Sequence, residues 1–238
     1  MSLPRTHKLV ILVGLLVVGA CTPPEPPPPR PALAKMSETG EVDDPQAKAA
    51  ARSDGLTGGK LVFSDDFDRP ELGTDWTIKH EGEWLLQDGQ LKPSRIANED
   101  DRNQGLWLNK PLPAKVRVTF ESKSLTKIGD TKCEIFGTES KHESGYSVIF
   151  GGWNNTINAI ARKGEHENKR VTQSEFVRVE PGRTYTWTIV RTDAVLRWYV
   201  DGKFMIAYDD SDPVRGSAFG FNNWANDVRI DNLKVYSL

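Results

Sequence analysis

The chain has 238 residues, 37% hydrophobic and 27% charged, and its 31 Lys and Arg against 33 Asp and Glu leave a formal charge of −2. That balance excludes a polybasic nucleic-acid binder, and the modest apolar share excludes a protein of many membrane spans. With 20 Gly, 15 Pro and 7 Trp, the composition leans toward turns and aromatic surface rather than helix.

Residues 1–20 hold Arg5 and Lys8, then the apolar run Leu9 to Val18 and the small pair Gly19-Ala20, the three parts of a secretory signal peptide. An apolar run of about 10 residues is too short for a hydrocarbon core that needs about 20. Val18-Gly19-Ala20-Cys21 resembles the bacterial lipoprotein processing box, and the resemblance implies that Cys21 becomes the first mature residue and carries the lipid. An ordinary signal peptide that happens to end in Cys is the other reading. Seven prolines in residues 22–31 favour an extended polyproline II spacer. From there to Lys60 large apolar residues are nearly absent, so burial cannot offset chain entropy and 21–60 reads as a lipidated, Pro-rich disordered tether. With Cys21 lipidated, Cys133 has no partner, and its apolar run Cys133-Glu134-Ile135-Phe136 predicts a buried, inert thiol.

Residues 61–238 read as strands from end to end. Runs rich in Val, Ile, Phe, Tyr, Trp and Thr recur at about ten-residue spacing: 84–87, 115–121, 146–150, 156–162, 184–191, 195–200, 204–208 and 228–236. In Val116-Arg117-Val118-Thr119-Phe120-Glu121 apolar and polar residues alternate, the pattern of a strand with one wet face. Asp88-Gly89 and Asp201-Gly202 sit between such runs and predict tight hairpins. Many strands and no helical periodicity point to an all-β fold, an antiparallel two-sheet jelly-roll sandwich.

Phe63-Ser64-Asp65-Asp66-Phe67, Trp76, Gly82-Glu83-Trp84 and Asp88-Gly89-Gln90-Leu91 resemble the start of concanavalin A-like lectin/glucanase jelly rolls. Trp198-Tyr199-Val200-Asp201-Gly202, Phe219-Gly220-Phe221 and Ile230-Asp231-Asn232-Leu233 resemble their closing strands. The resemblance spans nearly all of 61–238 and implies the fold. It leaves function open among lectins, glycosidases, carbohydrate-binding modules and laminin G-like adhesion domains.

Three features carry chemistry. Phe150-Gly151-Gly152-Trp153-Asn154-Asn155 and Phe219-Gly220-Phe221-Asn222-Asn223-Trp224 are near-duplicates. Indoles accept the apolar face of a pyranose while amides donate to and accept from its hydroxyls, so Trp153, Asn154, Asn155, Asn222, Asn223 and Trp224 form a two-sided glycan clamp if both loops reach one rim. The alternative is that the asparagines make turns and the tryptophans are core. Second, Glu134 and Glu139 resemble the paired carboxylates of family 16 laminarinase-type glycosidases, which implies Glu134 as nucleophile and Glu139 as acid. Retaining hydrolysis needs the two carboxyls about 5–5.5 Å apart, so a strand must bulge, here at Gly137, to bring residues five apart to one face. Phe136 stands where that family has Asp. The other reading is a strand with solvated carboxylates at its ends. Third, the superfamily resemblance implies a structural calcium ion, for which Asp66 and Asp231 on the first and last strands are the expected ligands; turn-forming aspartates are the alternative.

The charge run Lys163 to Arg170 reads as a solvated hairpin loop, and His142 and His166 lack metal-ligand spacing. No phosphate loop, Gly-x-Ser-x-Gly elbow or Cys/His zinc pattern occurs. The sequence reading is therefore an exported lipoprotein, held at a bacterial outer membrane through Cys21, whose sandwich binds a glycan in the periplasm or at the cell surface. No cofactor beyond calcium is expected and no nucleic-acid partner. A glycoside hydrolase using Glu134 and Glu139, or a protein–protein adhesion module, are the rivals.

Overall fold

The computed structural model describes residues 53–79, 83–94, 103–166, 170–172 and 176–238. The expected signal peptide, Cys21 and the tether as far as residue 52 lie outside the described residues. The last residues of that tether, 53–59, lie against the sandwich: Arg117 donates to the Gly55 carbonyl at 3.1 Å and to the Gly58 carbonyl at 2.8 Å.

Turn chemistry fixes the hairpins. β3 (Trp84–Gln87) and β4 (Gln90–Pro93) are joined by Asp88-Gly89, and β12 (Val195–Val200) and β13 (Lys203–Asp209) by Asp201-Gly202. All four turn residues have φ between 51° and 72°. That conformation matches the right-handed twist of the flanking strands and suits Asp-Gly. The alternating stretch becomes β6 (Val116–Ser124), whose Val118, Phe120 and Ser122 are buried while Thr119, Glu121 and Lys123 are half-buried.

One antiparallel sheet runs β13-β12-β11-β6-β15-β4-β3, with β11 at Thr184–Thr192 and β15 at Val228–Ser237. β4 meets the first part of β15 at Ile230, and β1 (Lys60–Asp65) takes the remainder from Leu233 to Ser237. The other sheet runs β10-β9-β8-β7-β14-β5-β2: Arg170–Thr172, Ile157–Arg162, Tyr146–Gly151, Thr131–Gly137, Ala218–Asn223, Gln104–Leu108 and Trp76–Ile78. This is the expected two-sheet jelly-roll sandwich.

Aromatic rings fill the space between the sheets. Trp187 stacks on Phe120 and packs on Trp198, each at 4.9 Å between centroids, while Phe150 of the facing sheet meets Trp198 edge-on at 5.7 Å. Such pairs add to the large area each ring removes from water. Five of the seven tryptophans, Trp76, Trp84, Trp107, Trp187 and Trp198, are buried. The lean toward aromatic surface read from composition is thus corrected: Trp is mostly interior here, and only Trp153 and Trp224 are half-buried. Cys133 is a free, fully buried thiol, and burial followed by the Glu134 charge pushes its pKa up.

Candidate functional site

β7 lies near the centre of its sheet, between β8 and β14. Strand alternation sends Cys133 and Ile135 into the core and leaves Lys132 and Glu134 on the outer face. Thr131, the first residue of β7, pairs with Phe150 on one side and Asn223 on the other. The turn after β8 and the chain after β14 therefore leave the same end of the sheet and flank the start of β7.

Those two segments carry the near-duplicate loops, and together they wall a cleft of about 460 Å³ lined by Trp153, Asn154 and Trp224, with Asp130, Lys132, His142, Glu143 and Glu165 among its other residues. Residues 153–155 have φ of 51°, 57° and 61°, so the chain makes a left-handed turn that Gly151, at φ 70°, opens. A Cβ on Gly151 would lie 2.7 Å from Val179 and 2.8 Å from Asn155 Oδ1, so the close approach as well as the dihedral requires glycine. Trp153 packs edge-on against His166 at 5.5 Å and carries the Arg170 guanidinium over its face at 4.6 Å. The Lys132 ammonium lies 5.9 Å from the centre of the Trp224 ring.

The structure does not bring all six expected clamp residues into the cleft. Asn155 is buried and serves the backbone: it donates to the Val179 carbonyl at 2.8 Å and accepts from the Val179 N–H at 2.9 Å. Asn223 points inward and donates to Gln104 at 2.8 Å. Asn222 lies on the outer face, in register between Lys132 and Gly105, and is only 3% exposed. Both polar atoms of its amide are without a partner among the described residues.

Behind the indoles the cleft floor is charged, and sequence reading missed most of it. Glu165, in the run taken for a solvated loop, is 7% exposed and binds Lys132 Nζ through both carboxylate oxygens at 3.1 Å. The loop does join β9 to β10, but its acid turns in because Lys132, itself 3% exposed on the sheet, has to be paired. Burial opposes the ammonium, but Asp130, Glu165 and Glu134 outweigh it and raise the Lys132 pKa. Burial raises Asp130; the Lys132 charge opposes this and the Glu165 charge adds to it.

Glu134 is buried to 1% exposure, not solvated as the alternative strand reading had it. One oxygen accepts from Ser147 Oγ at 2.8 Å and the other meets His142 Nδ1 at 2.6 Å. Burial works against a charged His142 ring, but the Glu134 hydrogen bond and the Glu134 and Glu165 charges prevail and move its pKa up. Glu134, His142 and Glu165 each offer a ligand atom within 4.8 Å of the other two, the one such group among the described residues. Neither histidine's spacing along the chain signalled this; the pairing of distant strands creates it.

β7 does bulge, one residue earlier than expected. Phe136, at φ 58°, is skipped in the pairing with β14 and turns into the core, where the Arg191 guanidinium lies 4.0 Å from its ring centre. Glu139 lies past the strand end, exposed, in a second depression that shares His142 and Glu143 with the cleft. At the sandwich's other expected site, Asp231 faces Glu121 across the β15–β6 pairing. Burial raises the Asp231 pKa, the Glu121 and Asp66 charges add to the rise, and hydrogen bonds from Asn232 and Gln90 oppose it. Asp66 itself accepts from the Asp68 N–H at 3.2 Å.

No protein-family model matches the chain, and no curated protein matches it. Solved structures do. A laminarinase from Flavobacterium sp. UMI-01 shares 13% identity over 75% of this chain and 100% of its own, with a TM-score of 0.57. The carbohydrate-binding module CBM66 from Bacillus subtilis shares 14% over 69% and 96%, with a TM-score of 0.55. The exoplasmic domain of VIP36, in a form bound to Ca2+ and Man3GlcNAc, shares 12% over 74% and 88%, with a TM-score of 0.55. At such identities the likeness establishes the fold alone, an antiparallel two-sheet jelly-roll sandwich.

Proposed function

We propose that the sandwich is the carbohydrate-binding part of an exported lipoprotein, anchored through lipid on Cys21 and presenting its cleft in the periplasm or at the cell surface. The carrying observation is the pair of half-buried indoles, Trp153 and Trp224, on loops that flank the start of β7 and open on one cleft. Five other tryptophans were available to the core, so two left half-exposed at one end of the sheet ask for a ligand with an apolar face. Asn154 and the polar floor supply donors and acceptors for sugar hydroxyls. The laminarinase, CBM66 and Man3GlcNAc-bound VIP36 neighbours support a glycan as that ligand, and a net charge of −2 suits an uncharged one.

A glycan array probed with the protein, with and without calcium, tests the reading. Binding to a defined glycan that Trp224→Ala weakens about thirtyfold supports it; silence across the array transfers the weight to a protein–protein adhesion module. Anchoring is read separately, by partition of the expressed protein into a detergent phase and its loss in Cys21→Ser. A structural calcium ion at Asp66 and Asp231, for which the Ca2+-bound form of the VIP36 neighbour is the support, predicts a rise in melting temperature with calcium that Asp231→Asn removes.

The bulge at Phe136 favours a second reading, a glycoside hydrolase of the same fold with Glu134 as nucleophile and Glu139 as acid. Reducing-end release from any array-positive polysaccharide, lost in Glu134→Gln and in Glu139→Gln, decides for it.

A further inference from the structure

We infer that the cleft floor binds a divalent transition-metal ion through His142 Nε2 and Glu165, with Glu143 moving in as the third ligand and Glu134 orienting the histidine. This does not rest on the glycan reading and survives its failure.

The ring orientation comes first. A carboxylate only accepts, so the 2.6 Å contact makes His142 Nδ1 the donor to Glu134 Oε1. Ser147 Oγ fixes the other oxygen of Glu134, so the acceptor itself is held from behind. Nothing fits between Nδ1 and Glu134: two ligands of one tetrahedral ion stand about 3.4 Å apart, given metal–ligand distances of about 2.0–2.2 Å. Glu134 is therefore not a ligand but the carboxylate partner that metal-binding histidines commonly have on their second nitrogen, which sets the tautomer and raises the basicity of the first.

The remaining nitrogen, Nε2, faces the cleft, and two carboxylate oxygens wait there at one distance. Glu143 Oε1 is 3.9 Å away and Glu165 Oε1 is 3.9 Å away. Closing each gap by about 0.5 Å reaches the tetrahedral edge. Glu143 has room to move, since its side chain is 37% exposed. The two acids are also tied to one another: the Glu165 N–H donates to Glu143 Oε1 at 2.7 Å. The bond from Lys132 to Glu165 does not close the site, because a carboxylate offers about four lone-pair positions and the ammonium uses one side of it. The lysine offsets part of the negative charge of the floor, so the site does not depend on metal for its charge to be borne.

The donor set selects the ion. One imidazole and two carboxylates suit Zn2+, Co2+ or Mn2+, whereas Ca2+ prefers six to eight oxygens. Three protein ligands leave a fourth position, and all three line the cleft between Trp153 and Trp224, so that position opens to whatever the cleft holds.

The test is a titration of untagged, EDTA-stripped full-length protein with Zn2+ by calorimetry and with Co2+ by visible absorption. A saturable one-to-one site is expected, weakened by more than a hundredfold in His142→Ala. Glu134→Gln weakens it ten- to hundredfold, the usual effect of disturbing an outer partner of a metal-bound histidine. Glu143→Gln, at a half-exposed position that leaves the fold intact, weakens it by more than tenfold, and Glu139→Gln leaves it unchanged. Absence of saturable Zn2+ binding at millimolar concentration overturns the proposal. So does undiminished affinity in Glu143→Gln, or displacement of Zn2+ by an equal concentration of Ca2+.

Discussion

The two loops that wall the cleft are nearly the same in composition, each with Gly, Trp and an Asn pair, yet they are built differently. After β8 the chain leaves the sheet at Gly151 and coils left-handed through Trp153, Asn154 and Asn155. After β14 the pleat continues through both asparagines, and only Trp224 lies beyond the strand. In the first loop an asparagine amide staples the turn to Val179; in the second an asparagine amide lies buried on the sheet with neither atom paired among the described residues. The difference teaches that Asn-Asn carries no fixed structural meaning. Its neighbours decide: Gly151-Gly152 releases the chain before the first pair, while Phe219 and Phe221 hold the second in the strand by burying alternate rings.

The sharpest way to break this comparison is Asn155→Ala against Asn222→Ala. The first leaves the Val179 N–H and carbonyl buried without partners and is expected to lower unfolding free energy by about 2–4 kcal/mol, read by urea titration. The second removes an amide with no partner among the described residues and is expected to change stability by less than about 0.5 kcal/mol. Equal costs at the two positions would mean that the loops are not distinct in kind.

Next in size are the indoles. Trp153→Ala and Trp224→Ala each cost about 2 kcal/mol of ligand binding, about thirtyfold in Kd by calorimetry, while moving stability far less than the 3–5 kcal/mol expected for the core residue Trp187→Ala. Gly151→Ala, at positive φ with the added methyl against Val179, costs about 1–3 kcal/mol and should loosen the first loop alone, seen as faster amide exchange at 152–156.

The smallest effect is a pH dependence away from both loops. Burial raises the Asp210 pKa, but hydrogen bonds from the Tyr146 hydroxyl, Arg162 and the Asp212 N–H overcome it, and the carboxyl lies below its usual range. A depressed folded pKa gives stability that is present above about pH 4 and lost as pH falls through the folded value. Asp210→Asn should therefore flatten the acid limb of the stability profile. The same pair acts on Tyr146, whose pKa is pushed up to about 12 by burial and by Asp210, so its phenol should not ionise in an absorbance titration at pH 10.

Much of the fold was legible because its signals are local. Strand runs 84–87 and 195–200 coincide with β3 and β12, and both Asp-Gly turns form as hairpins. Alternation in 116–121 placed Phe120 inward correctly because a period of two along one strand needs no knowledge of its partners. The cleft was legible only in its walls. Trp153 and Trp224 could be singled out as aromatic residues beside turn formers. Lys132, Glu165 and His142 could not, since each becomes meaningful only when a neighbouring strand or loop returns to it. A lysine at the edge of a strand run and a glutamate in a charge run both look solvated until a sheet face and a covering loop bury them together. The bulge was expected at Gly137 from conformational freedom, but it falls on Phe136, where a ring gains burial against Arg191 by leaving the pleat.

The proposed position of the glycan is between the two loops. It is tested most directly by following the indole N–H signals of the seven tryptophans by nuclear magnetic resonance while an array-positive oligosaccharide is added. The signals of Trp153 and Trp224 are expected to move together with one Kd while those of Trp187 and Trp198 stay in place. Saturable binding that leaves Trp153 and Trp224 unmoved would contradict it.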